Sequence, residues 1–118
     1  MVLLVDDDED LVEMFVVLFT KSGIPHMTAR SLAAVKALGP RVDEATIAFI
    51  DVNLGPNQPS GVAIARWLRE SAPKLTIYFI TGHAPDHPLV IEARGEAGEI
   101  LAKPIDTRKL IEIARRAV

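Results

Sequence analysis

Polar side chains with useful chemistry follow four short apolar runs of this sequence. They are the acidic run at residues 6–8, Asp51, Thr81 and Lys103. Each apolar run has the length and composition of a β-strand. Because the carboxyl ends of parallel strands meet at one edge of a sheet, residues far apart in sequence would converge there. Carboxylates, a hydroxyl and an ammonium gathered at that edge would suit a divalent cation and a phosphoryl group.

The elements that must position these residues alternate along the chain. Strand-like runs lie near residues 2–5, 25–29, 46–51, 75–80 and 99–102, and helical patterns lie near 9–22, 31–38, 61–71, 87–94 and 106–117. This alternation is typical of βαβ units and a parallel sheet. The third and fourth runs are apolar without alternation, as expected when helices cover both faces. The pattern predicts an α/β fold with these two strands at its centre.

Residues that begin or end helices agree with these boundaries. They are Gly23, Ser31, Pro88 and either Asp106 or Thr107. Gly23 can take the left-handed conformation that stops a helix, the hydroxyl and carboxylate groups can cap helix starts, and proline suits a first turn. The stretch 55–61 is so rich in glycine and proline that it predicts a loop. Since this loop leaves Asp51 directly, it must lie beside the proposed site.

The acidic residues allow two interpretations. The acids at 6–8 could simply cap the first helix and favour its positive end. A second acid, Asp51, at the end of a neighbouring strand would bring like charges together and raise the pKa of at least one carboxyl group. A cation, or the ammonium of Lys103, would then have to compensate. Mg²⁺ suits this position because it takes oxygen ligands and needs only one or two carboxylates.

Thr81 and Lys103 are also open to a simpler interpretation. A lone threonine there usually bonds backbone, and a lone lysine is usually a solvated surface charge. Gly82, however, would let backbone N–H groups approach an anion, and Pro104 would fix the chain just after the lysine. The four residues together predict a phosphate-binding cradle.

Composition excludes several classes of protein. The chain has 118 residues, 49% of them hydrophobic and 25% charged, which predicts one folded domain over residues 1–118. A net charge of −3 gives no attraction towards nucleic acid or an anionic membrane. Cysteine is absent, and no apolar run is long enough to span a bilayer or serve as a signal peptide. We therefore expect a cytoplasmic protein without direct contact to nucleic acid or membrane.

With these residues in place, the chain resembles the receiver domain of two-component response regulators, of the chemotaxis-regulator type. The resemblance rests on segments 3–8, 49–54, 80–83 and 103–104, taken in order and at these separations. It covers essentially the whole chain. It implies a doubly wound five-stranded parallel sheet of flavodoxin-like order 2-1-3-4-5 with five helices.

The resemblance also implies a role for each site residue. Asp51 would be the phosphoacceptor, with Mg²⁺ held by Asp51, Asp7, the backbone carbonyl of Asn53 and, partly through water, Asp6. Thr81 would hydrogen-bond the phosphoryl group and Lys103 would pair with it. The donor would be a phosphohistidine on a sensor histidine kinase or a histidine phosphotransfer protein. The domain would promote its own phosphorylation and dephosphorylation without being an enzyme in the usual sense, and its downstream output partner is not indicated.

The sequence departs from the family pattern in two places. Receiver domains usually carry an aromatic residue three positions before the lysine, where this chain has Ile100, so switching through an aromatic side chain is in question. The loop that ends at Gly61 is about two residues longer than usual. Asn53 and His83, near the acceptor and the threonine respectively, are expected to modulate the hydrolysis rate of the phosphorylated state.

Three other functions share some of these features. A pseudo-receiver, which is a non-phosphorylated interaction module on the same fold, is the main alternative. A haloacid-dehalogenase-like phosphatase also uses an aspartate, a threonine and a lysine, but that class leaves Asp51 unexplained. A flavodoxin-like flavin binder would need a hydroxyl- and glycine-rich loop where this chain has three acids.

The first helix is apolar on more than one stripe. Leu11, Phe15 and Leu18 follow helical spacing and are assigned to the core. Val12 and Val16 then fall on the outer side, next to the Asp51 pocket. That side is expected either to be ordinary surface or to dock a helical partner carrying the phosphohistidine, or a second copy of the chain as a homodimer.

Overall fold

Five short strands pair in parallel in the computed structural model, which describes residues 1–96 and 99–116. The strands are β1 (Val2–Val5), β2 (His26–Ala29), β3 (Ile47–Asp51), β4 (Thr76–Thr81) and β5 (Glu99–Ala102). Their order in the sheet is β2-β1-β3-β4-β5. Both the predicted strands and the predicted order 2-1-3-4-5 are confirmed. The two apolar strands expected at the centre, β3 and β4, each have a neighbour on both sides.

Five α-helices connect and cover the strands. They are α1 (Glu9–Lys21), α2 (Leu32–Ala37), α3 (Gly61–Ser71), α4 (Pro88–Gly95) and α5 (Thr107–Arg116). The predicted end of the fifth helix at Ala117 lies outside the described residues. None of the described helices is long and apolar enough to cross a membrane.

Side-chain caps fix the helix starts. Asp8 Oδ1 accepts hydrogen bonds from the backbone N–H groups of Asp10 and Leu11, and Ser31 caps α2 in the same way. At α5 the choice left open between two residues is settled, because Asp106 Oδ1 accepts from the N–H groups at positions 108 and 109. Such a cap contributes about 0.5–2 kcal/mol. These local bonds explain why the helices begin where the sequence indicated.

The second helix is shorter than predicted. It ends at Ala37, and a 3-10 helix follows over Gly39–Glu44. Gly39 has a positive φ of 57° and Pro40 occupies the first turn of the new element. Because proline cannot donate the hydrogen bond that would continue the α-helix, the chain tightens into a 3-10 turn instead.

The core has two layers, one on each face of the sheet. On one face, Phe15 and Phe19 of α1 and Leu110 of α5 pack against strand residues such as Leu4 and Phe49. The opposite face packs against α2, α3 and α4. Every residue of β1 and β3 is buried, so both strands are covered on both sides. Each fully buried large apolar side chain contributes about 1.5–3 kcal/mol, which anchors the strand ends that carry the polar residues.

The rotation of α1 differs from the prediction. Val12 is buried, and Val16 is partly buried against the core, so the expectation that this pair forms an outer face was wrong. The buried stripe contains Val12, Phe15 and Phe19, because this rotation places both phenylalanine rings in the core at once. The exposed apolar side chains of α1 are instead Met14 and Val17.

Candidate functional site

The ends of four strands bring the predicted site residues together. Asp6 follows β1, Asp51 ends β3, Thr81 ends β4 and Lys103 follows β5. The register pairs Val5 with Ile50, which sets Asp6 and Asp51 side by side on adjacent strands. They adjoin a cavity of about 340 Å³ lined by Asp7, Asp51, Asn53, Gly55, Gly82, His83 and Lys103. The convergence expected at the carboxyl edge of the sheet is therefore present.

Three carboxylates form the acidic part of the site. One oxygen from each of Asp6, Asp7 and Asp51 lies within 4.8 Å of the others. Asp6 and Asp51 are buried, whereas Asp7 is exposed. Asp6 Oδ1 accepts from the N–H of Asp8 at 3.0 Å, and Asp51 Oδ1 accepts from the N–H of Asn53 at 3.1 Å. These backbone bonds fix one oxygen of each buried carboxylate and leave the other directed at shared partners.

Lys103 is the cation of the site. Its Nζ donates to Oδ2 of Asp51 at 2.9 Å and lies 3.3 Å from Oδ2 of Asp6. Burial by itself lowers the pKa of this ammonium, but the ion pairs with Asp51 and Asp6 outweigh burial and raise the pKa above its usual value. Lys103 is therefore charged at neutral pH and offsets part of the negative charge of the two buried acids.

Asp6 carries the largest electrostatic cost. Burial raises the pKa of its carboxyl group to about 6, the charge of Asp51 adds to the rise, and the Asp8 N–H and Lys103 only partly oppose it. The direction agrees with the expectation that clustered acids raise a pKa. Within residues 1–96 and 99–116, Asp6 Oδ2 accepts no hydrogen bond, and its charge is offset only by the Lys103 ammonium 3.3 Å away, which is shared with Asp51. A buried carboxylate oxygen in this state favours a bound cation.

The donor set fits a hard divalent ion. Three carboxylates within reach of one another supply the oxygen ligands that Mg²⁺ prefers, and the exposed Asp7 leaves the group open to solvent. Among the described residues, Asp6, Asp7 and Asp51 are the acidic or histidine side chains that lie close enough together to hold a metal ion.

Thr81 and Gly82 form the opposite wall. Thr81 is buried, its Oγ1 accepts from the N–H of His83 at 2.9 Å, and its carbonyl accepts from the N–H of Lys103 at 2.8 Å. The second bond ties β4 to the residue that carries the ammonium. Gly82 is exposed at the cavity, so its backbone is accessible to an anion.

Asn53 and His83 meet across the cavity mouth. Asn53 Oδ1 accepts from the N–H of Gly55 at 3.1 Å, and Asn53 Nδ2 lies 3.1 Å from His83 Nε2. The His83 ring also stacks on His87, with centroids 4.0 Å apart and planes 19° from parallel. Sequence reasoning singled out Asn53 and His83 but not their contact, and it did not find His87, whose type and position carry no signal of this stack.

Two predicted residues lie apart from this cavity. Ile100 and Pro104 line a neighbouring cavity of about 230 Å³ between β5 and α5. Ile100 is partly buried and pairs in register with Phe79 of β4. The Lys103–Pro104 peptide bond is cis. Ile100 lies in β5 and Pro104 just after it, and neither lines the site cavity.

Two residues beside the site were not predicted. Gly61, the first residue of α3, packs so closely on β3 that an added Cβ would collide with the backbone carbonyl of Asp51. Arg30, just after β2, donates from its guanidinium to the backbone carbonyl of Asp7 at 3.2 Å. Arg30 could have been found by the strand-end rule that found the others. Gly61 was interpreted as the end of a loop, and its residue type alone did not indicate that it packs against Asp51.

Comparisons with known proteins identify the family of this chain. The family model of the response regulator receiver domain matches residues 2–115. The chain is 27% identical to an NtrX-like response regulator of Rickettsia bellii. The alignment spans 117 residues and covers 98% of this chain and 24% of that protein. It is 30% identical over 108 residues to the photosynthetic apparatus regulatory protein RegA of Cereibacter sphaeroides, covering 92% of this chain and 57% of RegA.

A solved structure gives the same result. The receiver domain of NtrX from Brucella abortus matches with a TM-score of 0.81 at 25% identity, covering 99% of this chain and 97% of that one. The chain spans about a quarter of the NtrX-like relative and just over half of RegA. Members of this family are signalling domains and not enzymes in the usual sense. The chain belongs to the response regulator receiver domain family of two-component systems.

Proposed function

We propose that Asp51 accepts a phosphoryl group from a phosphohistidine on a sensor histidine kinase or a histidine phosphotransfer protein. The observation that carries this proposal is the environment of one carboxylate. Asp51 is buried at the end of a central strand, with Oδ1 fixed by the Asn53 N–H and Oδ2 paired with Lys103 at 2.9 Å. Asp51 also belongs to the group of three carboxylates, so the nucleophile lies beside both the lysine and the proposed cation site.

In the transfer step, a carboxylate oxygen of Asp51 forms a bond to phosphorus while the bond from phosphorus to the donor's imidazole nitrogen breaks. The electron pair stays on that nitrogen. Positioning and charge neutralisation supply most of the rate in such reactions. Lys103, already 2.9 Å from Asp51, can turn to a phosphoryl oxygen without crossing the site.

Asp6, Asp7, Asp51 and the backbone carbonyl of Asn53 would hold Mg²⁺, which would neutralise negative charge on the phosphoryl oxygens. Two observations support this assignment: the buried Asp6 Oδ2 accepts no hydrogen bond from the part of the chain that the structure describes, and the three carboxylates lie within 4.8 Å of one another. Three acids and one lysine leave excess negative charge in the site. A bound cation would therefore be needed before a further anionic group could enter.

The signal would leave the site through Thr81. Its hydroxyl oxygen accepts the His83 N–H, so its own hydrogen can donate to a phosphoryl oxygen. A shift of Thr81 would pull the residues before α4 and, through the carbonyl bond to Lys103, the end of β5. Because Ile100 replaces the usual aromatic residue of β5, this response would run without an aromatic rotamer change. The output partner would be either a separate downstream protein or a further domain of the same regulator.

The proposal is tested by brief incubation with acetyl phosphate and Mg²⁺, followed by intact mass measurement. The wild-type chain should gain one phosphoryl group. Asp51→Asn should gain none, whereas Asp43→Asn, which alters an exposed acid in the 3-10 helix, should be labelled like wild type. Absence of labelling in the wild-type chain would favour the pseudo-receiver alternative. Full labelling of Asp51→Asn would move the acceptor to another residue.

A further inference from the structure

A continuous set of contacts joins the Asp51 carboxylate to the first turn of α4. Asp51 Oδ1 accepts from the N–H of Asn53, the Asn53 side chain meets His83, and His83 stacks on His87. His87 in turn caps α4, because its Nδ1 accepts from the N–H of Leu89 at 3.1 Å. Both histidines are partly buried, and His83 is the one that lines the site cavity.

The hydrogen bonds determine the tautomer of each ring. The Gly55 N–H donates to Asn53 Oδ1, so the Asn53 NH₂ group must face His83 Nε2. His83 Nε2 therefore accepts, and the proton of the neutral ring lies on Nδ1. By the same reasoning, Nδ1 of His87 accepts from Leu89 and its proton lies on Nε2.

His87 is more firmly fixed than His83. Its backbone belongs to the start of α4, where its carbonyl accepts from the N–H groups of Val90 and Ile91, and its side chain bonds the helix as well. His83 lies in the loop before the helix and has one side-chain hydrogen bond, to Asn53. The stacking contact with His87 therefore restricts the remaining freedom of the His83 ring.

We propose that His87 is a positioning residue that holds His83 over the mouth of the phosphoryl site and thereby lengthens the lifetime of phosphorylated Asp51. This inference rests on the proposed function of Asp51. In hydrolysis, a water oxygen attacks phosphorus, the bond from phosphorus to the Asp51 oxygen breaks, and inorganic phosphate leaves with the water protons shared between it and solvent. A ring held at the mouth, with Nε2 occupied by Asn53, obstructs that water and does not accept its proton.

Two substitutions separate the ring from the helix cap. His87→Asn keeps an oxygen that can accept from Leu89 N–H and removes the stacked ring. His87→Phe keeps a ring and removes the acceptor. His83→Ala gives the decay rate without any imidazole at the mouth. Each protein is labelled with acetyl phosphate and Mg²⁺, desalted, and followed by intact mass.

We expect phosphorylated His87→Asn to decay about 2- to 10-fold faster than wild type, approaching His83→Ala, because a stacked aromatic pair is worth that factor. His87→Phe should recover most of the wild-type lifetime. Decay of His87→Asn at the wild-type rate would overturn the proposal. Decay of His87→Phe as fast as that of His87→Asn would also overturn it, since a stacked ring at position 87 would then not preserve the lifetime.

A second measurement does not depend on phosphorylation. The chain has three histidines, so the ring nitrogens are readily assigned by NMR of the ¹⁵N-enriched, unphosphorylated protein. His83 should be the Nδ1–H tautomer in wild type and His87→Phe, and a tautomer mixture in His87→Asn. His26, which begins β2 at the edge of the sheet opposite the site and lies against Phe19, should not change. A wild-type chain that takes no phosphoryl group refutes the proposed function, whereas an unchanged His83 tautomer in His87→Asn refutes positioning by His87.

Discussion

The Lys103 ammonium lies 2.9 Å from Oδ2 of Asp51, although 52 residues separate them along the chain. Asp51 ends β3 and Lys103 follows β5, and β4 lies between these strands, so the lysine reaches across the end of β4 to its partner. The same contact that neutralises Asp51 before phosphorylation places a cation where phosphoryl oxygens would lie. Under the proposed function, charge compensation and transition-state stabilisation would both depend on this one side chain.

Removing this cation tests both roles. We expect Lys103→Ala to remain folded but to be labelled by acetyl phosphate at least about 10-fold more slowly, because a charge-stabilising contact of about 1.4 kcal/mol or more is lost. Lys74→Ala, which removes an exposed lysine at the opposite edge of the sheet, should be labelled at the wild-type rate. The initial rate of mass gain measures the effect. A variant that unfolds would indicate that the ion pair is chiefly structural.

Asp6 should make stability depend on pH. Its folded-state pKa of about 6 exceeds the usual 3.8, so the folded protein binds this proton more tightly than the unfolded chain does. The stabilisation from protonated Asp6 is complete below about pH 4 and is lost as the pH rises through about 6. Asp6→Asn stays neutral, so at about pH 7.5 without Mg²⁺ it should unfold at a higher urea concentration than wild type. Its free energy of unfolding should be larger by on the order of 1 kcal/mol.

The stability advantage of Asp6→Asn over wild type should shrink at about pH 4.5, where Asp6 of the wild type is largely protonated. Mg²⁺ should stabilise wild type more than Asp6→Asn, because the ion lowers the cost of the charged carboxylate. Asp43→Asn serves as the control for removal of an exposed acid. An equal difference from wild type at both pH values would show that Asp6 is not the titrating group.

Neighbouring acids should differ in their effect on Mg²⁺ binding. Asp7 contributes an oxygen to the carboxylate group, whereas Asp8 caps α1 through the N–H groups of Asp10 and Leu11. We expect Asp7→Asn to weaken Mg²⁺ binding at least about 10-fold in a titration, and Asp8→Asn, which keeps the cap, to change it only slightly. Similar losses in both variants would mean that long-range charge, and not ligation, controls binding.

The alternation of strand and helix patterns predicted a parallel sheet and the convergence of Asp6, Asp51, Thr81 and Lys103 at its carboxyl edge. The order of the strands came from the family resemblance. Helix rotation was harder to predict. In α1 the stripes through Leu11 and Val12 overlap at Phe15, so periodicity alone does not choose between them, and packing of both phenylalanine rings decides. The stack of His83 on His87 depends on rotamers and loop path, which no residue pattern encodes.

The close packing of α3 on the acceptor strand gives a last prediction. Gly61 donates its N–H to the carbonyl of Val52, and an added Cβ there would collide with the backbone carbonyl of Asp51. The Val52 and Asp51 carbonyls that Gly61 meets are backbone groups, so neither can move aside as a flexible side chain would. Gly61→Ala must therefore displace α3 or the end of β3, at a cost of at least about 1–3 kcal/mol in the free energy of unfolding.

Because that displacement acts on Asp51 directly, Gly61→Ala should also slow labelling by acetyl phosphate, even in the fraction that remains folded. Gly95→Ala is the matched control, since Gly95 ends α4, has no atom within 4 Å of its added Cβ and does not have a positive φ. It should raise stability by up to about 1 kcal/mol, as alanine favours helix, and leave labelling unchanged. Urea unfolding and intact mass measure the two effects. A Gly61→Ala protein as stable and as readily labelled as wild type would show that α3 approaches Asp51 less closely than described.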